Sequence, residues 1–135
     1  MKLCTFEVAT PLGRHSRVGL YTDGRIIDVN FATAWRQAEK GQPDSNRLAD
    51  ALAPSNMLDF LRAGHRAMHA AERATAVLQE ETGNEYPAGP NGETLVYNAG
   101  EVRLRAPLPN PASLRDFSRY RYMAFLSAVY VNFVP

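Results

Sequence analysis

Two turn signals divide the first 31 residues into three short runs of alternating side chains, and this arrangement narrows the fold more than any other feature of the chain. Cys4, Phe6 and Val8 alternate with Leu3, Thr5 and Glu7. Val18 and Leu20 flank Gly19. Ile27, Val29 and Phe31 alternate with Ile26, Asp28 and Asn30. A period of two over a short run marks a strand with one face buried. The first turn signal is Thr10-Pro11-Leu12-Gly13. The second, Asp23-Gly24, suits a two-residue hairpin because both positions accept positive φ. The pattern predicts a three-stranded meander over residues 2–31.

Helical signals follow. Residues 32–40 are good helix formers that stop at Gly41, with Pro43 beyond. Asp44 to Ala53 predicts a short helix with Leu48 and Leu52 on one face, ended by Pro54. Ser55 is then placed to cap a longer helix, with Asp59 favourable to its dipole. Leu58, Leu61, Met68, Ala71 and Leu78 form its apolar stripe, and Gly64 is where it would break. After a Gly-, Pro- and Asn-rich loop over 83–93, residues 94–97 and 101–105 read as strands, with Val102 and Leu104 inward and Arg103 and Arg105 outward. The expected fold is α+β: a small antiparallel meander or barrel-like sheet with two or three helices packed on it. The predicted divisions are a domain over 1–106, a proline-rich linker over 107–117 carrying Pro107, Pro109 and Pro111, and an apolar tail over 118–135.

Composition excludes several classes. The length of 135 residues fits one domain. A formal charge of +1 leaves no excess to hold a phosphate backbone, so no nucleic-acid partner is expected. A single cysteine excludes an internal disulfide and a zinc site built mainly from thiolates. No secretory h-region and no run of about 18 apolar residues occurs, so a cytoplasmic chain without a membrane partner is expected.

Four groups of residues could carry chemistry. His65 and His69 lie four apart on the long helix with Glu72 one turn on, yet Arg66 stands where a zinc-peptidase helix has its glutamate, so a solvated polar face is expected. Cys4 shares its phase with Phe6 and Val8 and reads as a buried small residue rather than a reactive thiol. Arg103, Arg105, Arg115, Arg119 and Arg121, interleaved with Tyr120 and Tyr122, have the composition of a single-strand binder but also of outward strand positions plus a linker. Arg115-Asp116-Phe117 alone is a common surface pair.

Context changes the reading of that last group. Met1-Lys2-Leu3, then Val18-Gly19-Leu20 leading through Asp23-Gly24 to Ile27-Asp28-Val29-Asn30, then Met57-Leu58-Asp59-Phe60-Leu61, and finally Val102 to Pro111 running into Leu114-Arg115-Asp116-Phe117, occur in one order and spacing. Over residues 1–117 the chain resembles the N-terminal region of bacterial fumarylacetoacetate hydrolase family proteins.

That resemblance implies a small N-terminal domain preceding a β-rich catalytic domain. The catalytic domain would hold Mg²⁺, or Ca²⁺ or Mn²⁺, on carboxylates and cleave carbon–carbon bonds of diketone or 2-oxo acid substrates. Asp116 corresponds to the family's first metal ligand. Met123 stands seven positions on, where the family has its catalytic histidine, and a thioether is no general base. The remaining carboxylates would fall after residue 135. The expectation is therefore a non-catalytic N-terminal domain, truncated or frame-shifted after about residue 117, inactive and without a tightly bound cofactor by itself. Its expected partner is a catalytic domain of the same family. The alternative is a stand-alone interaction module whose apolar tail docks on a partner or on a second copy.

Overall fold

A computed structural model describes residues 2–81, 85–111 and 113. Asp116, Met123 and the apolar tail therefore lie outside the described residues, as do Arg115, Arg119 and Arg121. The fold is α+β. In chain order the elements are β1 (Lys2–Thr10), β2 (Gly13–Thr22), β3 (Arg25–Asp28), α1 (Val29–Glu39), α2 (Ser45–Leu52), α3 (Met57–Ala63), α4 (His65–Glu81), β4 (Val96–Asn98) and β5 (Arg103–Arg105). The strands form one antiparallel sheet in the order β4-β3-β2-β1-β5, so the late strands flank the early meander.

Both hairpins have local causes. Between β1 and β2, the Thr10 hydroxyl accepts from the Leu12 N–H at 3.3 Å and donates to the Gly13 carbonyl at 2.9 Å. Between β2 and β3, Asp23 and Gly24 have φ of 47° and 76°, the paired left-handed conformations of a turn whose twist matches its strands.

The meander ends three residues earlier than the alternation predicts. Asp28 closes β3 and its carboxylate accepts from the Phe31 N–H at 3.0 Å, so Val29 begins a helix. A carboxylate that takes up a first-turn N–H favours a helix start over another strand residue. Among the described residues the helical part divides into four helices. Gly64, with φ of 61°, separates α3 from α4, and its N–H donates back to Phe60 and Leu61. Asn56 rather than Ser55 caps α3, its side chain accepting from the N–H groups of Leu58 and Asp59. On α2 it is Ser45 and Ala49 that are buried, while Leu48 is exposed. Leu61 also leaves the predicted stripe for solvent, whereas Ala71 and Leu78 are fully buried.

Strand register assigns the two faces of the sheet. Leu3 opposes Leu20, Thr5 opposes Val18 and Leu20 opposes Ile27, so these side chains share one face. Val18, Leu20 and Ile27 join Val29, Trp35, Phe60, Ala67, Ala71, Ala74 and Leu78 in the helix-covered core. Burying a side chain such as Leu or Ile contributes about 1.5–3 kcal/mol. The opposite face carries a smaller apolar group. Phe6 and Ile26 are fully buried, and the Phe6 and Tyr97 rings lie 5.4 Å apart at 52°. Gly19 makes room for them: a Cβ there would lie 2.5 Å from Ile26 Cγ2 and 3.0 Å from Phe6 Cδ1.

β5 departs from its predicted orientation. Arg103, Leu104 and Arg105 are all exposed, because the strand lies at the edge of the sheet with β1 as its neighbour. Beyond it the Thr5 hydroxyl donates to the Pro107 carbonyl at 2.7 Å and holds the start of the proline-rich segment against β1. Among the described residues, no helix is long and apolar enough to cross a membrane.

Candidate functional site

Two polar assemblies stand out, and the meander positions both. The first lies where β2, β3 and α1 meet. Gly19 opposes Asp28, which places Arg17 diagonally across from it on the same face. The Arg17 guanidinium donates through Nε to Asp28 Oδ2 and through Nη2 to Asp28 Oδ1 at 3.1 Å and Asn30 Oδ1 at 3.2 Å. Its Cζ sits 3.6 Å from the centre of the Phe31 ring. Asn30 then donates to Asp50 at 2.9 Å and to the Ala53 carbonyl at 3.1 Å, which ties α1 to the end of α2. The Asp28 N–H donates to the Leu95 carbonyl at 2.8 Å, which ties in the loop before β4.

This network is built for structure. The Asp28 side chain is fully buried, and that burial pushes its carboxyl above the usual range although Arg17 and the Phe31 and Asn30 N–H groups pull the other way. Tyr97 is also pushed up, by its own burial and then by the Asp28 charge. Each of these polar groups is engaged with a neighbour. Taking both charges out of water offsets much of their attraction, so the network specifies geometry more than it adds stability.

The second assembly is open. It lies on the helix-covered face of the sheet, near the end that carries the β1–β2 turn. Glu7 opposes Ser16 on β2 and Arg103 on β5, while Thr5 opposes Arg105. Glu7 has Arg105 at 3.4 Å and Arg14 at 4.0 Å, and its Oε2 is buried without a hydrogen bond. Three arginines therefore share a surface with one carboxylate. Beside them is a hollow of about 260 Å³ lined by Thr5, Ser16, Ser55, Asn56, Leu108 and Asn110, among others. Its lining side chains carry no formal charge. It can accept a neutral polar group, and among the described residues no lining hydroxyl is hydrogen-bonded to a base.

The residues singled out from sequence are scattered. His65, His69 and Glu72 are exposed on α4 around a shallow surface depression. Among the described residues, no three His, Cys, Asp or Glu side chains come together as a cation would require. Cys4 is half-buried on the Phe6 side of the sheet, its thiol donating to the Gly19 carbonyl at 3.5 Å. Burial pushes that thiol up, away from the reactive thiolate. Arg103 and Arg105 share a face with Glu7, which neither residue's position in sequence discloses.

Sequence reasoning missed both assemblies. Asp28 read as one more alternating residue. The signal that could have found it was an acid immediately before Val29-Asn30-Phe31 and a run of helix formers, the pattern of an N-cap. The Glu7 cluster had no local signal, because its members come from three strands. Comparison of the chain with family models, with curated proteins and with solved structures finds no match.

Proposed function

We propose that this chain is the N-terminal, non-catalytic domain of a metal-dependent fumarylacetoacetate hydrolase family enzyme acting on carbon–carbon bonds of diketone or 2-oxo acid substrates in the cytoplasm. The observation that carries the reading is how the chain leaves the fold. β5 returns to pair with β1, the Thr5 hydroxyl fixes Pro107, and Leu108, Pro109 and Asn110 then run along the hollow above Asn56. A sheet whose last described strand ends at residue 105, followed at once by a held, proline-stiffened strap, suits a small domain that hands its chain to another. The strap leads to Leu114-Arg115-Asp116-Phe117, the stretch in which the family resemblance is most specific.

Among the described residues no set of side chains comes together to hold the family's cation. Asp116 can offer two oxygens where Mg²⁺ takes about six, and the described acids and histidines are dispersed. No chemical step is therefore assigned to the chain itself, and its role is to pack against a catalytic domain.

Reading the gene through codon 117 and past codon 135 in all three frames tests this. A frame that supplies a histidine seven positions after Asp116 and a later Glu-x-Glu pair is the expected result. Three frames without them would remove the reading. So would Mg²⁺-dependent cleavage of an acylpyruvate by the purified chain, for which no turnover is expected.

A further inference from the structure

We infer that the β5 edge, with Arg14, Arg103 and Arg105 around Glu7, is a docking strip for an extended acidic peptide. Such a strip would serve whether or not the domain belongs to a hydrolase. Three observations carry it.

The first is the state of the edge. Among the described residues β5 ends the strand order, and Arg103, Leu104 and Arg105 are each exposed. An exposed edge strand offers backbone N–H and C=O groups to an incoming strand. The second is charge. The Arg14 and Arg105 side chains are 61% and 39% exposed, and Arg103 is exposed beside them, while the Glu7 carboxylate they surround is only 13% exposed. Solvent therefore meets three guanidinium groups and little of the acid, a local excess that the whole-chain charge of +1 conceals. Guanidinium groups hold carboxylates through paired N–H donors.

The third is spacing. Arg103 and Arg105 are two apart on one strand and point to the same face. An extended peptide laid along β5 presents its own alternate side chains at that repeat, so carboxylates at every second position would meet the two arginines. Leu104, 51% exposed on the opposite face, would contact the intervening residues. A nucleic acid could use the charge but not the backbone edge, which is why a peptide is the occupant inferred.

The probe is a fluorescent Glu-Thr-Glu-Thr-Glu-Thr peptide titrated with the full chain and followed by anisotropy at low salt. Binding is expected, weakening as NaCl rises. Arg103→Gln and Arg14→Gln should each weaken it, and the double variant by about tenfold or more. Arg103 is exposed, so its replacement leaves the core untouched. Glu7→Gln should tighten binding, an outcome that a purely structural role for Glu7 does not produce. Absence of binding would overturn the inference, as would affinity indifferent to both arginine variants. Equal affinity for Glu-Glu-Glu-Thr-Thr-Thr would overturn docking in strand register. Tighter binding of an oligothymidylate would overturn the choice of a peptide.

Discussion

Among the described residues, arginines of the sheet meet carboxylates in two places, and the two behave as opposites. Arg17 and Asp28 meet inside the fold, where the carboxylate also receives the first-turn N–H of α1 and the guanidinium lies on Phe31. Arg14 and Arg105 meet Glu7 at an open sheet end, at 4.0 and 3.4 Å. The residue types match, but the surroundings do not. Burial makes the first pair costly to assemble and costlier to halve, while in the second the arginines stay exposed and at longer range, which leaves the contacts weak and the guanidinium groups accessible. An ion pair's role follows from the water around it rather than from its members.

The strongest way to break that contrast is Asp28→Ala. It strands Arg17 beside the half-buried Phe31 ring and uncaps α1, so a loss of about 3–5 kcal/mol is expected in urea denaturation. A loss below that of an ordinary surface pair would mean that Arg17 finds water. Gly19→Ala attacks the same rung from the apolar side. Its methyl would meet Ile26 Cγ2 at 2.5 Å, and overpacking of this kind costs about 1–3 kcal/mol, read as a lowered Tm.

The pH dependence sharpens the comparison. Because burial raises the Asp28 carboxyl above its ordinary value of 3.8, the folded chain holds that proton more tightly than the unfolded chain does. Its contribution to stability is full below the ordinary value and is lost as pH rises through the folded one. Denaturation of the wild type and Asp28→Asn at a series of pH values should show the difference between them shifting against the wild type across that window. A constant difference would contradict a raised carboxyl at Asp28. The smallest effect is expected at the open end. Glu7→Gln should change stability by less than about 1 kcal/mol, and about 0.5 M NaCl should shrink that change while leaving the effect of Asp28→Ala almost untouched.

What could be read in the sequence follows the same division between local and distant causes. Thr10-Pro11-Leu12-Gly13 and Asp23-Gly24 encode their turns within a few residues, and both hairpins form where the residues indicate. Gly64 likewise marks the break between α3 and α4. The α+β class follows from such local signals. The burial of Thr5 and the exposure of Leu104 did not, because each depends on which strand arrives beside β1. Period two tells that a strand has two faces, but not which one the helices cover. For the same reason Cys4 and Phe6 share a face, as the alternation predicts, yet that face is the one away from α1 to α4. Neither polar assembly was legible, since Arg17 with Asp28, and Glu7 with Arg103 and Arg105, become neighbours only in register.

The pairing of β1 with β5 also sets a schedule for synthesis. β1 is complete at residue 10, but its outer partner ends at residue 105. At ordinary elongation rates this leaves the β1 edge waiting on the order of 5 to 20 seconds after it is made. During that interval the nascent chain displays an unpaired strand that β2 alone cannot cover. A ribosome that stalls in the loop before β4 would hold out a sheet lacking both β4 and β5, with two strand edges open to wrong partners.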